Sequence, residues 1–461
     1  MKNIVYLHTH DTGRCISPCG FAVDTPNLAA FAREGALFRQ AFDCGPTCSP
    51  ARASLLTGTY PHQCGMLGLA HRGFRLNDPR KHLAAFLKRH GYRTVLCGVQ
   101  HETADDPGTL GYEEVFEEGN RCGHSHGGMG SDLANTAAAC AFLARRQETP
   151  FFLSLGLHAT HRPFPESPDA ADDPDFMRPP IPIPDTPECR RDWASFASMV
   201  RHADRCFGRV LDTLTACGLR EETLVLITTD HGPAFPGMKC TLSDHGCGVM
   251  FLLRVPGMPE GTVIDALISH LDFYPTVCEW AQLPAPEWLE GCSLFPLLRG
   301  EERELHEALY AEINFHAARD VQRSVRTRRF RYVRRYDGYA GTVLPNIDDG
   351  PTKRFLLREA ELAEQPRIPV EQLFDLYRDP AESRSLLDDP ASAGTLEKMR
   401  ALLAEWQRRT RDSLPERLPH PPPGARLTRQ SDPGPEPENG EWETVPESFD
   451  SGCGTVDCAV Y

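Results

Sequence analysis

Short apolar runs, each preceded or followed by an amphipathic segment, constrain this chain more than any other feature. Asn3–Thr9 is such a run, read as a strand without the strict polar–apolar alternation of a half-wetted sheet. Residues 25–32, Thr-Pro-Asn-Leu-Ala-Ala-Phe-Ala, follow as a capped helix. The pairing recurs, with helix 79–90 before strand 93–97 and helix 131–146 before strand 150–157. The longest helix carries Phe196, Val200, Ala203, Phe207, Val210 and Leu214, three or four residues apart, and leads into Thr223–Thr229. Strands buried on both faces need a helical layer on each side, so this alternation predicts a doubly wound, mostly parallel α/β sheet.

Near residue 305 the pattern changes. Leu309–Phe315, 324–336 and 372–377 read as antiparallel strands and 395–409 as an amphipathic helix, the makings of a small α+β unit. A chain of 461 residues exceeds one ordinary core. The expected organisation is a large catalytic domain over 1–305, a smaller α+β subdomain over 306–414 and a tail over 415–461. Residues 415–446 hold nine prolines. Such a segment buries too little apolar surface to fold alone, so it is expected to be disordered or draped on the surface.

Composition removes several classes of function. No stretch approaches the roughly 20 apolar residues of a membrane span, and the opening Met1-Lys2-Asn3-Ile4-Val5-Tyr6-Leu7-His8 lacks a signal peptide's long apolar region. The expected location is cytoplasmic, without a membrane partner. The 17 cysteines are odd in number and follow no repeated spacing, which suits reduced thiols better than a disulfide framework. A net charge of −15 argues against a nucleic-acid partner. The basic run 323–335 is local, and its alternation of Arg with Phe and Tyr is expected to form a strand with a solvated charged face.

Chemistry concentrates at Cys48-Ser49-Pro50-Ala51-Arg52, which continues as Ala53-Ser54-Leu55-Leu56-Thr57-Gly58. Cys48 alone would read as a buried thiol at the start of a helix entered through Ser49-Pro50. Elsewhere, His10-Asp11 and Asp230-His231 follow predicted strands, so carboxylates and imidazoles project where α/β sheets place ligand sites. The run from Cys48 to Gly58 resembles the signature of sulfatases, whose cysteine is oxidised to formylglycine (3-oxoalanine). Tyr60-Pro61-His62-Gln63-Cys64-Gly65-Met66 extends the likeness toward the sulfamidase branch, which cleaves N-sulfated glucosamine. The resemblance spans most of the first 300 residues and continues weakly to Leu373-Phe374-Asp375-Leu376 and Asp379-Pro380.

This resemblance implies an alkaline-phosphatase-like fold with a smaller C-terminal α+β domain carrying an antiparallel sheet. It also implies a formylglycine-generating enzyme as the partner in maturation. Asp11, Asp230 and His231 would ligate one divalent cation, calcium foremost, with manganese or magnesium as alternatives. One hydroxyl of hydrated residue 48 would complete the site, and Asp230 would take its proton. His10 stands where an aspartate is usual, and is expected either to bind the metal or to hydrogen-bond Asp11. Arg52, one turn beyond Cys48, would stabilise the nucleophile. His161 would protonate the leaving atom, Lys239 would touch it together with the sulfate, and His101 would act as the base that releases sulfate. Val99 stands where a lysine is usual, leaving Lys239 or Arg14 to compensate.

The expected activity is hydrolysis of a sulfate ester or sulfamate on a small, sugar-like substrate. The alternatives are a phosphonate monoester or phosphodiester hydrolase, favoured by Asp230-His231, and a silent relative that only binds sulfated sugar. His62, His71 and His316 are further substrate-contact candidates. Cys122-Gly123-His124-Ser125-His126-Gly127 lacks a second ligand pair at zinc spacing and reads as a glycine-rich surface loop.

Overall fold

A computed structural model describes residues 2–116, 128–359, 368–437, 440 and 442–444; the loop 122–127 lies outside them. The large sheet contains β1 (Asn3–Thr9), β2 (Ala36–Phe42), β3 (Arg93–Gly98), β4 (Glu114–Phe116), β5 (Phe151–Gly156), β6 (Thr223–Thr229), β7 (Phe251–Arg254) and β8 (Thr262–Ser269), in the order β4-β3-β5-β1-β6-β7-β2-β8. Neighbours are parallel except where β7 pairs with β6 and with β2.

β1 lies inside this sheet, matched to β5 from Ile4↔Phe152 to His8↔Gly156 and to β6 from Asn3↔Thr223 to Thr9↔Thr229. Its side chains divide between two cores. Val5 and Leu7 meet Phe142, Phe196, Val200 and Phe207 on one face, while Ile4 and Tyr6 meet Leu55, Phe86 and Phe273 on the other. Both faces are therefore dry, which explains the uninterrupted apolar runs.

The helix Pro187–Ala216 begins with Thr186 capping the Cys189 N–H and Pro187 in its first turn. All six apolar positions named from its spacing are buried. Each such side chain contributes about 1.5–3 kcal/mol relative to exposure. The expected helix 25–32 is observed as Pro26–Glu34, but Thr25 does not cap it; its hydroxyl pairs with Ser17 instead.

A second sheet holds β9 (Leu309–Phe315), β10 (Arg319–Arg326), β11 (Phe330–Arg335) and β12 (Glu371–Asp375), antiparallel in the order β12-β11-β10-β9. The helix Ala393–Thr410 covers it, placing Met399, Leu403 and Trp406 against Val325 and Tyr332. The fold is thus the expected mostly parallel sheet with a smaller antiparallel one.

The basic run forms strands, but its expected solvation holds only for Arg328, Arg329 and Arg334, which are partly exposed, while Arg323, Arg326, Arg331 and Arg335 are buried. Arg323 is fully buried between Asp412 at 2.6 Å and Glu312 at 3.1 Å, and Arg335 pairs with Asp320 at 2.9 Å. Arg326 grips Asp244 with two 2.9 Å hydrogen bonds. Each of these three guanidiniums meets a carboxylate from another segment, so that part of the charged face is an interface.

The described part of the tail is draped. Ala425 and Leu427 pack with Met66, Phe74 and Phe315, and β13 (Arg426–Leu427) pairs with β14 (Glu443–Thr444). The described cysteines are all free. Among the described residues, no helix is long and apolar enough to cross a membrane.

Candidate active site

Parallel strands side by side open their carboxyl ends together. Beyond β1 come His10 and Asp11, beyond β6 Asp230 and His231, beyond β5 His158 and His161, and beyond β3 His101. Cys48 enters from the loop after β2, as the first residue of the helix Cys48–Thr57, which is buried throughout. Three residues here hold a left-handed backbone that side chains rarely adopt: Asp11 (φ 49°), His101 (φ 73°) and Cys240 (φ 60°). Gly98, at φ 81°, has to be glycine, because a Cβ there would come within 2.3 Å of Gly156 O.

One ligating atom each from His10, Asp11, Cys48 and Asp230 lies within 4.8 Å of the others, and all four residues are buried. His10, Cys48 and His101 form a second group of the same tightness. His231 Nε2 is 3.2 Å from Asp11, 3.7 Å from Asp230 and 3.4 Å from Cys48 Sγ. Two carboxylates with imidazole nitrogens around the Cys48 side chain make a donor set that fits a divalent cation. The hydrogen-bonding alternative for His10 named Asp11, whereas its Nδ1 lies 3.2 Å from Asp230 without the alignment of a hydrogen bond. Its ring also packs edge-on against His101 and His161.

Arg52 is buried beneath this group, donating at 2.9 Å to Asp230 and at 2.9 Å to Thr9 O, and it also contacts His8 Nδ1. Burial would raise the Asp230 carboxyl, but His231, Arg52 and His10 outweigh it and hold the group well below the usual carboxylate range. Asp230 also accepts from the backbone N–H groups of Asp11 (2.8 Å) and His231 (2.9 Å). Burial, reinforced by Asp11 and Asp230 against the opposing Lys239 and Arg52, pushes the Cys48 thiol well up.

Lys239 hydrogen-bonds Asp11 at 3.0 Å and pairs with Asp348 at 3.0 Å. Although burial opposes it, these two carboxylates hold its ammonium charged. His316 reaches the site from the end of β9; burial and then Lys239 push its imidazole down. His101 Nε2 is 3.2 Å from His71 Nδ1, with the rings stacked. His161 Nδ1 pairs with Arg162 O. A carbonyl only accepts, so Nδ1 carries the proton and Nε2 is the variable position.

Two expected contributors are engaged elsewhere. His62 is engaged by Glu312 at 3.0 Å and by Thr410 O at 3.3 Å, with Tyr60 and Trp406 around it, so both its ring nitrogens are taken up in fastening the helix Pro61–Cys64 to the second domain. Arg14 donates to Ala41 O, stacks on Phe42 and lies 4.0 Å from Asp244, so its guanidinium is engaged away from Cys48's neighbours. Two residues escaped the sequence reading. Asp348 comes from a loop after the second sheet's third strand, with no motif around it. Glu102, next to His101, is 2% exposed and pushed up to about 8 by burial.

The sulfatase family profile matches residues 2–283, more than half of the chain, and the profile for the C-terminal part of N-sulphoglucosamine sulphohydrolase matches 239–359. The chain belongs to the sulfatase family and is a sulfuric ester hydrolase. It is 31% identical to human N-sulphoglucosamine sulphohydrolase over 444 residues, covering 85% of this chain and 86% of that protein. An ulvan-active sulfatase of Formosa agariphila is 28% identical over 88% of this chain and 74% of its own length. The fold is shared with BT4656, solved with its substrate D-glucosamine-2-N,6-O-disulfate, at a TM-score of 0.72 and 17% identity, covering 90% of this chain and 99% of that one. It is also shared with the phosphonate monoester hydrolase of Agrobacterium radiobacter, at a TM-score of 0.68 and 20% identity over 89% and 96% of the two chains.

Proposed function

We propose that this protein hydrolyses a sulfate ester or sulfamate of a small sugar-like molecule, using formylglycine made from Cys48 and one divalent cation. The gathering of His10, Asp11, Cys48 and Asp230 within 4.8 Å carries this reading. Cys48 Sγ marks the position at which the oxidised side chain would present its oxygen. Formylglycine, once hydrated, supplies a hydroxyl able to attack sulfur and a second one through which sulfate departs. A divalent cation held by Asp11, Asp230, His10 and His231, calcium foremost, supplies acidity to that hydroxyl and neutralises sulfate oxygens.

The remaining work falls to the chain itself. Asp230, kept ionised by Arg52, accepts a proton at its carboxylate. Lys239 binds the sulfate and the departing atom, His161 Nε2 delivers a proton to that atom, and His101, steadied by the stacked His71, removes the proton whose loss frees sulfate. Supporting the substrate class, the human relative is a sulphohydrolase of N-sulphoglucosamine and BT4656 was solved with a sulfated glucosamine.

Asp230-His231 and the apolar Val99 favour a second reading, phosphonate monoester or phosphodiester hydrolysis, in line with the Agrobacterium likeness. The longer run from Cys48 to Met66 outweighs these two positions. Peptide mass spectrometry should find an aldehyde in place of the Cys48 thiol, and Cys48→Ala should abolish turnover in a folded protein. One aryl group carried as sulfate ester, phosphonate monoester and phosphodiester should show its highest kcat/KM as the sulfate. An active Ala variant ends the formylglycine reading, and preference for either phosphorus ester ends the sulfatase assignment.

A further inference from the structure

We infer that Asp348 selects substrates whose departing atom carries a hydrogen, a sulfamate N–H over an ester oxygen, an inference that rests on the proposed sulfatase chemistry. In that chemistry Lys239 and His161 converge on the departing atom. Asp348 stands beside the first of these: its Oδ2 is 3.0 Å from Lys239 Nζ, and its charge is stabilised by Lys239 and then by His161 and His316 against the opposing effect of burial. Asp11 already supplies Lys239 with a hydrogen-bonded counter-charge at 3.0 Å. A second carboxylate at this place therefore calls for a further reason.

The surroundings provide one. Asp348 Oδ2 is buried against the Lys239 ammonium in an ion pair that lacks the alignment of a hydrogen bond, which leaves it acceptor capacity, and Nδ1 of His316, a residue only 6% exposed, is buried without a hydrogen-bond partner. An ionised carboxylate accepts hydrogen bonds and cannot donate one. An N–H on the departing atom would satisfy it, whereas the lone pairs of an ester oxygen would meet it as a repulsion. Sites built to bond a substrate N–H or O–H reject analogues that lack it, because the buried group is left unpaired.

The loop is also built to hold this carboxylate in place. Lys353 Nζ donates to Leu344 O at 3.1 Å, to Ile347 O at 2.8 Å and to the Asp349 carboxylate at 2.8 Å, tying the backbone on both sides of Asp348. Thr352 donates twice to Asp192 Oδ2, and Asp192 is gripped by both terminal nitrogens of Arg162, the residue after His161. Gly350 packs so tightly on that guanidinium that a Cβ would come within 2.3 Å of it. The Asp348 loop is thus fastened to the segment that carries His161.

The experiment compares an N-aryl sulfamate with the matching O-aryl sulfate, in wild type and in Asp348→Asn, the latter checked for an unchanged thermal melt. The ratio of kcat/KM for sulfamate over ester should fall about tenfold or more in the variant, beyond any loss that the altered Lys239 pairing imposes on both substrates alike. An equal fall on both substrates would make Asp348 a support for Lys239 alone, and no fall on either would leave it without a role; each overturns the inference. If the Asn variant does not fold, Asp348→Glu keeps the charge but moves it, and its ratio should fall as well, an unchanged ratio overturning the inference. Wild-type protein that cleaves neither compound would overturn the sulfatase reading itself, a result legible before any variant is made.

Discussion

Asp230 meets Arg52 at 2.9 Å, His10 at 3.2 Å and His231 at 3.7 Å, so one carboxylate is fixed from three sides and kept ionised at the centre of the site. Removing it takes away a ligand and leaves Arg52 buried without its carboxylate. Asp230→Ala is expected to lose the bound cation on elemental analysis. His10→Ala should lose it too, by more than the 10–100-fold weakening typical of a residue that only supports a ligand. Unchanged metal content in either variant would remove that residue from the ligand set. His10, Asp11, Asp230 and His231 were legible because they follow strand ends, where α/β sheets place ligand sites, and because the sulfatase resemblance marked those positions as ligands. His62 invited a role at the site because it is near Cys48 in sequence, yet the short helix Pro61–Cys64 turns it toward Glu312. Asp348 and Glu102 were illegible for a related reason, since a carboxylate delivered by a loop has no period or spacing to mark it.

Strands β1, β3, β5 and β6 of the large sheet and the helices beside them followed from period and run length, whereas β2, β4, β7 and β8 went unread. β7 has only four residues, and β8 begins with a partly exposed, polar-interrupted half. The arginines of β10 and β11 misled because alternation reports two faces of a strand without saying whether water or another carboxylate covers the charged one. Beneath the His161 segment, Asp132 on the helix Gly128–Leu143 accepts from the N–H groups of His158 (2.6 Å) and Ala159 (3.1 Å) and lies 3.6 Å from His202 Nε2. Burial would lower the His202 imidazole, but Asp132 and then Cys206 raise it to about 9. A group raised on folding contributes stability that is complete below its unfolded pKa of about 6.5 and is lost as pH climbs through the folded value. Thermal melts should therefore show wild type losing stability between about pH 6.5 and 9 relative to His202→Gln. Parallel curves for the two proteins would mean that His202 is neutral in the fold.

At the scale of the molecule, the tail reaches back over the wall of the pocket. Arg72 donates to Pro435 O at 2.9 Å and Glu436 at 3.3 Å and stacks on Trp442, while Arg426 donates to the carbonyl of His71 at 3.0 Å. His71 in turn stacks on His101, so the strap steadies a site residue that belongs to another segment. Arg72→Ala should weaken the strap by about 2 kcal/mol locally, seen as faster protease cutting between 426 and 437 with the main thermal transition in place. Equal cutting rates would show that Ala425 and Leu427 hold the strap without it. Cys48 has a different relation to the whole. Its side chain is 1% exposed, walled in by β1 and β6, two strands that lie more than two hundred positions apart along the chain. With that sulfur buried once those strands have met, the oxidation we propose for it would, if another protein carries it out, belong to the interval between synthesis and collapse. On that proposal each molecule's competence would be settled by a race it runs once: a chain that folds first would be stranded as an intact, correctly shaped and permanently silent copy.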